Sequence, residues 1–566
     1  MIIMQKTLYQ LHRRLSIIIA IPVFLWASSG FMHPIMTNIR PSVATQGILP
    51  VAIDTGRIRY PLAKALREHH LDSISNFRLV HIDTNWFYQV QLLTGRADAG
   101  AAGVDGRGAT GVDSRAAVPV YISCTNGNIL TAGDWLYAQY LARQFLEGPA
   151  GYKAGTEKEA AEGTMEGHDA MHGMIQTAAM KSEHVMHDCC GAATDMVLNP
   201  VKGARVANAS LISGYDEEYK SINRLLPVYR VSFERADGIR VYVETTQDRF
   251  SFAMDHRRAM FDKIFRYCHT WGWLDFLGKG RLVVEGAIAL TALFTAVLGI
   301  YIFFTTRGSR AKGNALVKAR RNHRYTAIVA SLFTLLWTFS GGYHALSKLE
   351  DDVRERYAVH TRLAAAAMEP DLVQLQAVCP RPIANISVVV MEGEPYWRVS
   401  MLPEKMATHK DLMKDRKAGL PPVSYIRARD HAVLADGDAR YASWMAAQFS
   451  GYPADAIRKV EPVTSFGDEY NFTDKRLPVW KVSYARDGHV RYYVETGSGK
   501  LASRVDDRVA AEGYSFSVWH KHHFMDWGGK TVRDASTMFW ALMQVVLVVV
   551  GLLLWRRQRQ RASLRA

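Results

Sequence analysis

Polar and apolar positions along this chain alternate between two regimes, and the alternation occurs twice. Four apolar runs, Leu15–Met36, Val283–Phe304, Tyr325–Leu346 and Ser536–Trp555, have the length of about 20 residues that a helix needs to cross a bilayer. The stretches after the first and third runs carry a two-residue alternation instead, as in Val228-Tyr-Arg-Val-Ser-Phe233 and Val479-Trp-Lys-Val-Ser-Tyr484. That alternation predicts half-buried strands. Gly133-Asp134 and Gly437-Asp438 each open a helical pattern and predict helices capped by the aspartate. No small-residue cleavage site follows the first run, so it is expected to remain as an anchor.

The two regimes are in register with each other. His12, Trp26, Ser29, Gly30 and His33 recur as His323, Trp337, Ser340, Gly341 and His344, an offset of 311. Ile74-Ser-Asn76 recurs as Ile383-Ala-Asn385 at 309. Leu226-Pro-Val-Tyr229, Arg240–Thr245, His269, Asp275 and Lys279 recur at 251. The drop in offset falls between Phe145 and Glu218, which identifies about 148–205 as an insertion in the first half alone. The expected fold is a membrane protein with four transmembrane helices and two α+β domains, internally duplicated about an axis along the membrane normal.

Charge fixes the orientation. The net charge of +15 resides in 1–14, 305–324 and 556–566, which together hold fifteen Lys and Arg and no acidic residue; the remainder balances at 54 against 54. Lys and Arg mark cytoplasmic flanks, so the basic excess reports topology and gives no nucleic-acid partner. The expected domains are 1–37 (cytoplasmic N-terminus and first span), 38–280 (first extracytoplasmic domain), 281–304, 305–324 (basic loop), 325–346, 347–535 (second extracytoplasmic domain) and 536–566. Membrane lipid is the surrounding partner. Five cysteines in 566 residues make no disulfide framework.

The stretches LHRR…FLWASSGFMH, LPVYRVSFERADGIRVYVET, LPVWKVSYARDGHVRYYVETGSGKL and VWHKHHFMDWGGK resemble the PepSY-associated transmembrane proteins, over most of the chain except about 148–205. That family includes bacterial inner-membrane proteins that reduce ferric siderophores and carry b-type haems. The resemblance implies PepSY-like domains, a periplasmic location for both of them and haem b as cofactor. PepSY domains also occur as plain binding modules, so the resemblance leaves function open.

Three matched histidine pairs, His12 with His323, His33 with His344 and His269 with His520, are candidate axial ligands. Ionisable groups inside a bilayer are functional candidates. His12 and His33 stand about 31 Å apart on a helix, at 1.5 Å per residue, which suits one haem near each membrane face. His12 and His323 would serve the cytoplasmic haem, with Arg13, Arg14 and Arg324 placed for its propionates. His33 and His344 would serve the periplasmic haem, with His269 and His520 competing.

The insertion adds His168, Met171, His172, Met174, His184, His187, Cys189 and Cys190, a soft donor set that suits copper ahead of zinc or iron. Glu285, in the mouth of the second span, is a proton-relay candidate or a residue that reaches to the surface. There is no P-loop, nucleophile elbow, HExxH or glycine-rich dinucleotide loop, so the electron donor must be external, a quinol or a cytoplasmic reductase. The leading expectation is a metalloreductase that passes electrons through two haems to a periplasmic metal, either a ferric siderophore or Cu(II). The alternative is a non-enzymatic periplasmic copper-binding sensor or chaperone.

Overall fold

The computed structural model describes residues 2–93, 118–148, 197, 203–306, 314–350, 357–359, 361–406 and 420–563. Four helices are long and apolar enough to cross a membrane: Lys6–Asn38, Gly280–Thr305, Ala315–Ser347 and His523–Arg561. The first and third reach well beyond the apolar runs, because the helix continues through the basic flanks that hold His12 and His323. Asn314 caps the third by accepting from the Leu316 and Val317 amides.

The four helices pack as a ring, the first and third each lying against both the second and the fourth. Small residues permit the close crossings. A Cβ on Gly342 would lie 3.1 Å from the Ala289 Cβ, and one on Gly30 would lie 4.0 Å from that of Ala541. At the end of the ring nearest the sheets, Lys279 Nζ donates to Leu349 O at 2.8 Å, and Lys530 Nζ donates to Asn38 Oδ1 at 2.6 Å. Each lysine thus ties the start of one span to the end of its neighbour.

The residues outside the ring form small antiparallel sheets. Asn76–Ile82, Asn85–Gln91 and Val120–Ser123 make a three-stranded sheet, and Val206–Ile212, Val228–Phe233, Arg240–Glu244 and Arg249–Met254 a four-stranded one. The helix Gly133–Glu147 packs between them around Tyr121, Phe145, Val231 and Val241. In the later half, Ile383–Met391, Glu394–Met401, Val423–Arg427 and Val433–Leu434 form one sheet. Ile457–Val463, Val479–Tyr484, Arg491–Glu495 and Lys500–Val505 form the other. Gly437–Ser450 packs between these around Tyr425, Met445, Val482 and Val494. Alternate strand residues face the helix, which is why the two-residue pattern is legible.

The two halves join in three ways. Phe77, Trp86, Trp397 and Ile426 share one core with Leu66 and Leu375. Ser73–Ile74 pairs with Leu363–Ala364. Asn76 and Asn385 then exchange bonds across the seam. Asn76 donates to Val388 O at 3.0 Å and accepts from Val388 N at 3.0 Å, while Asn385 donates to Leu79 O at 2.9 Å and accepts from Leu79 N at 3.0 Å. Beyond the seam lies a buried ionic network. Arg249 bridges Glu244 (3.2 Å) and Glu495, and Arg476 holds Glu495 at 2.8 Å.

One expected detail differs. The helices at 133 and 437 have no side-chain cap; the residues before them, Ala132 and Asp436, adopt left-handed backbone, and Asp134 and Asp438 lie inside the first turn. The carboxylates instead accept from Tyr121 Oη (2.9 Å) and Tyr425 Oη (2.8 Å) on the facing sheet. A buried tyrosine hydroxyl needs an acceptor, and that requirement decides where these carboxylates go.

Candidate functional site

The sheet-side end of the ring holds four of the six expected histidines. The helix His256–Cys268, capped by Asp255, delivers His269. Asp507–Tyr514, capped by Asp506, runs into a single π-helical turn, Ser515–His520, that delivers His520. Such single turns are rare and are frequent at functional sites. The His269 and His520 rings face each other with centroids 6.1 Å apart, inclined by 78°.

Each of the two is gripped by one spanning helix. Trp26 Nε1 donates to His269 O at 3.0 Å, and Trp337 Nε1 donates to His520 O at 3.1 Å. One turn on, Ser29 Oγ lies 3.0 Å from His269 Nδ1 and Ser340 Oγ lies 3.3 Å from His520 Nδ1. Each serine hydroxyl already donates to its own helix, to Leu25 O at 2.7 Å or Leu336 O at 2.6 Å. Its oxygen therefore accepts from the imidazole, which puts the histidine proton on Nδ1 and leaves a lone pair on Nε2. Burial pushes the His269 imidazole down to about 4, helped by the neighbouring His33, and burial holds His520 well below its ordinary value. Both rings are neutral at pH 7, the state in which imidazole binds a metal.

His33 and His344 lie one ring further out. His33 contacts Phe265 (5.3 Å), which stacks on His269 at 4.5 Å. His344 stacks on Phe516 (3.8 Å), which stacks on His520 at 4.8 Å. Ring contacts therefore run His33, Phe265, His269, His520, Phe516, His344, and the innermost two face each other. His344 Nδ1 is engaged by Glu512 at 2.5 Å. Position 261, which matches Glu512, is phenylalanine, so that carboxylate is not repeated in the first half.

At the other end of the ring, His12 and His323 lie close enough for their charges to interact. Both Nδ1 atoms are buried without a hydrogen-bond partner. Each imidazole sits at a glycine of a neighbouring span. A Cβ on Gly299 would stand 3.1 Å from His12 Cε1, and one on Gly551 would stand 3.5 Å from His323 Cε1. Although both histidines lie in basic flanks, they enter the ring.

Arg324 departs from its expected role. Its guanidinium donates to Thr306 Oγ1 at 2.8 Å and to the Phe303 and Thr306 carbonyls. It closes the end of the second span, whose last carbonyls have no helical partner. Arg13 and Arg14 are exposed. Glu285 lies 3.6 Å from Arg281, with Oε1 buried and without a hydrogen bond.

His522 was not singled out by the pairing of histidines, because its matching position holds Trp271. It is fully buried, 3.0 Å from Ser536 Oγ, stacked on Trp337 (5.3 Å) and close to Phe333 and Phe524. Ser29, Ser340, Trp26 and Trp337 were visible as repeat markers, but their grip on the histidines needs the fold.

The donor set of the insertion, His168, Met171, His172, Met174, His184, His187, Cys189 and Cys190, lies outside the described residues. Among the described residues no group of three or more His, Cys, Asp or Glu is arranged to hold a metal ion. Comparison with known proteins finds no matching family model and no matching curated protein.

Proposed function

We propose that this chain is a duplicated, multi-pass protein of the bacterial inner membrane whose matched histidines hold two b-type haems. In this reading it passes electrons from a quinol or a cytoplasmic reductase to a periplasmic metal, a ferric chelate or Cu(II). The observation that carries it is the facing His269–His520 pair. A metal–imidazole bond is about 2.0–2.1 Å, and a ring centroid lies further from the metal than its own nitrogen. Centroids 6.1 Å apart are thus in the range for one ion gripped from both sides. Two imidazoles alone leave a first-row metal short of ligands, so the pair suits an ion that brings its other ligands with it, as haem iron does. The orphaned Nδ1 atoms of His12 and His323, with glycines beside them, fit a second such group. Duplication is supported by the shared sequence offsets and by the reciprocal Asn76 and Asn385 bonds.

Haem, when bound, supplies a one-electron carrier. The protein's own residues do the rest. Ser29 and Ser340 fix the histidine tautomer, and Trp26 and Trp337 hold the histidine backbone. Phe265 and Phe516 cover the outer face of each imidazole, and a drier, more apolar site alters the potential.

The test is a pyridine haemochrome assay on purified protein, wild type against His269→Ala and His520→Ala. The expected result is about two haems per chain, falling to about one in either variant. A colourless protein from haem-replete cells would end this reading.

A further inference from the structure

The sheets of the two halves share a framework but differ in where one ion pair is made. In the first half Arg78 and Gln89 are cross-strand partners; in the second half Ser387 and Arg398 are. The offset of 309 matches Arg78 to Ser387 and Gln89 to Arg398, so the cation has moved to the neighbouring strand. A facing turn, 244–248, matches 495–499 at 251, with Thr246 replaced by Gly497 and Asp248 by Gly499. In the first half the cation has its carboxylate built in. Arg78 holds Asp248 through both terminal nitrogens, at 2.5 and 2.8 Å, and Tyr137 Oη donates to the same carboxylate at 2.7 Å. In the second half that carboxylate is missing. Tyr441, which matches Tyr137 at 304, is 3% exposed, and its hydroxyl makes no hydrogen bond among the described residues. A buried hydroxyl needs a partner.

The two glycines leave the turn open toward Tyr441 and Arg398. A Cβ on Gly499 would stand 3.8 Å from Tyr441 Oη with nothing nearer than 3.6 Å, and one on Gly497 would stand 3.7 Å from Arg398 Nη2 with nothing nearer than 3.4 Å. The backbone matches as well: φ is +50° at Asp248 and +68° at Gly499, a region that aspartate enters more readily than most residues. The other charges around Arg398 are engaged. Asp438 Oδ1 is 3.9 Å from Arg398 Nε and accepts from Tyr425 Oη at 2.8 Å, while its Oδ2 accepts from Trp480 Nε1 at 2.6 Å. Glu495 is held by Arg249 and, at 2.8 Å, by Arg476; Lys500 Nζ is 3.9 Å from Glu244. Arg398 itself makes only long bonds, 3.3 Å to Tyr425 Oη and 3.4 Å to Ser400 Oγ. The first half thus provides one arginine and two carboxylates, Asp134 and Asp248, where the second provides one arginine and Asp438.

From this comparison we infer that Arg398, Tyr441 and the turn 497–499 bind a free carboxylate in the place that Asp248 fills in the first half. The ligand is a small organic acid anion whose bound end is the size of acetate, the aspartate side chain without its backbone. It enters past Gly497 and Ser498, which are partly exposed. Arg398 supplies the charge-assisted contact and Tyr441 the hydroxyl donor, as Arg78 and Tyr137 do for Asp248. The site lies in the extramembrane sheets and does not rest on the proposed haem function.

The experiment uses full-length protein in detergent at fixed ionic strength, as wild type, Arg398→Gln, Gly499→Asp and Asp248→Gly. Acetate and its neutral isostere acetamide are titrated, with saturation-transfer NMR of the methyl protons as readout. Wild type is expected to bind acetate in preference to acetamide. Arg398→Gln, which installs the residue that the first half carries, should raise the acetate dissociation constant about tenfold or more. Gly499→Asp supplies its own carboxylate and should abolish acetate binding with no loss in thermal midpoint, which separates occupancy from misfolding. Asp248→Gly should gain a second acetate site, and acetate, not acetamide, should restore its thermal midpoint. No acetate binding to wild type, equal binding of acetamide, or acetate binding unchanged in Gly499→Asp would overturn the inference.

Discussion

At the scale of single residues, the centre of the molecule is governed by where one proton sits. Ser29 Oγ has its own hydrogen committed to Leu25 O, so it receives Nδ1–H of His269 and sets the lone pair on the opposite nitrogen. Ser29→Ala leaves that N–H buried without an acceptor, which costs about 1–3 kcal/mol, and loss of such a partner lowers metal-site affinity about 10–100-fold. Under the proposed function the expected outcome is haem that dissociates faster and titrates at a shifted midpoint potential in a spectroelectrochemical cell; Ser29→Thr keeps the oxygen and retains wild-type behaviour. An unchanged potential in the alanine variant would remove the serine from the account. The histidines were legible in the sequence because they recur at a fixed offset. His522 was not, because its counterpart is tryptophan and an aromatic ring serves equally well as packing in the first half.

At the scale of elements, packing between helices decides what can sit between them. Gly299 and Gly551 leave the space that the His12 and His323 imidazoles enter. A leucine at both positions drives side-chain atoms into those rings. Under the proposed function the protein is then expected to retain a sheet-side haem and lose the other, with pyridine haemochrome content falling by about half. Full content in the double variant would place the second haem elsewhere. The sheets were legible because alternation has a period of two; the function of Asp134 and Asp438 was not. An aspartate near a helix start reads as a cap in one dimension, and only the fold brings Tyr121 and Tyr425 within reach. The seam residues Asn76 and Asn385 were visible as repeat positions, yet their exchange across halves is a long-range fact. Asn385→Ala removes two side-chain bonds to Leu79 and exposes a strand edge inside the seam. A loss of about 2 kcal/mol is expected, read as a lower thermal midpoint of the full chain, and Asn76→Ala should match it.

At the scale of the whole molecule, the extramembrane halves are held by charge as well as by core. Burial raises the Glu495 carboxyl, but Arg249 and Arg476 outweigh burial and hold it below its ordinary value. A carboxylate with a depressed folded pKa binds fewer protons when folded than when unfolded. Its contribution is therefore complete above the unfolded value of about 4.3 and is lost as pH falls below it. Thermal midpoints measured from pH 7 to pH 3 should decline on the acid side, and Glu495→Gln, already weakened at pH 7, should decline less steeply. Equal slopes would show that other carboxylates carry the acid limb. The four spans and the balance of charge were legible because membrane crossing needs only length and apolarity. The ring's order was not, because it depends on which small residues meet.

The contacts that join the halves, at the seam, in the shared core and around the ring, do not depend on the peptide link between Thr306 and Asn314. Severing the polypeptide there and co-expressing the pieces should yield a non-covalent heterodimer that co-purifies through a tag on either fragment. Each piece would bring one imidazole of every matched pair, so under the proposed function colour would appear only when both are present.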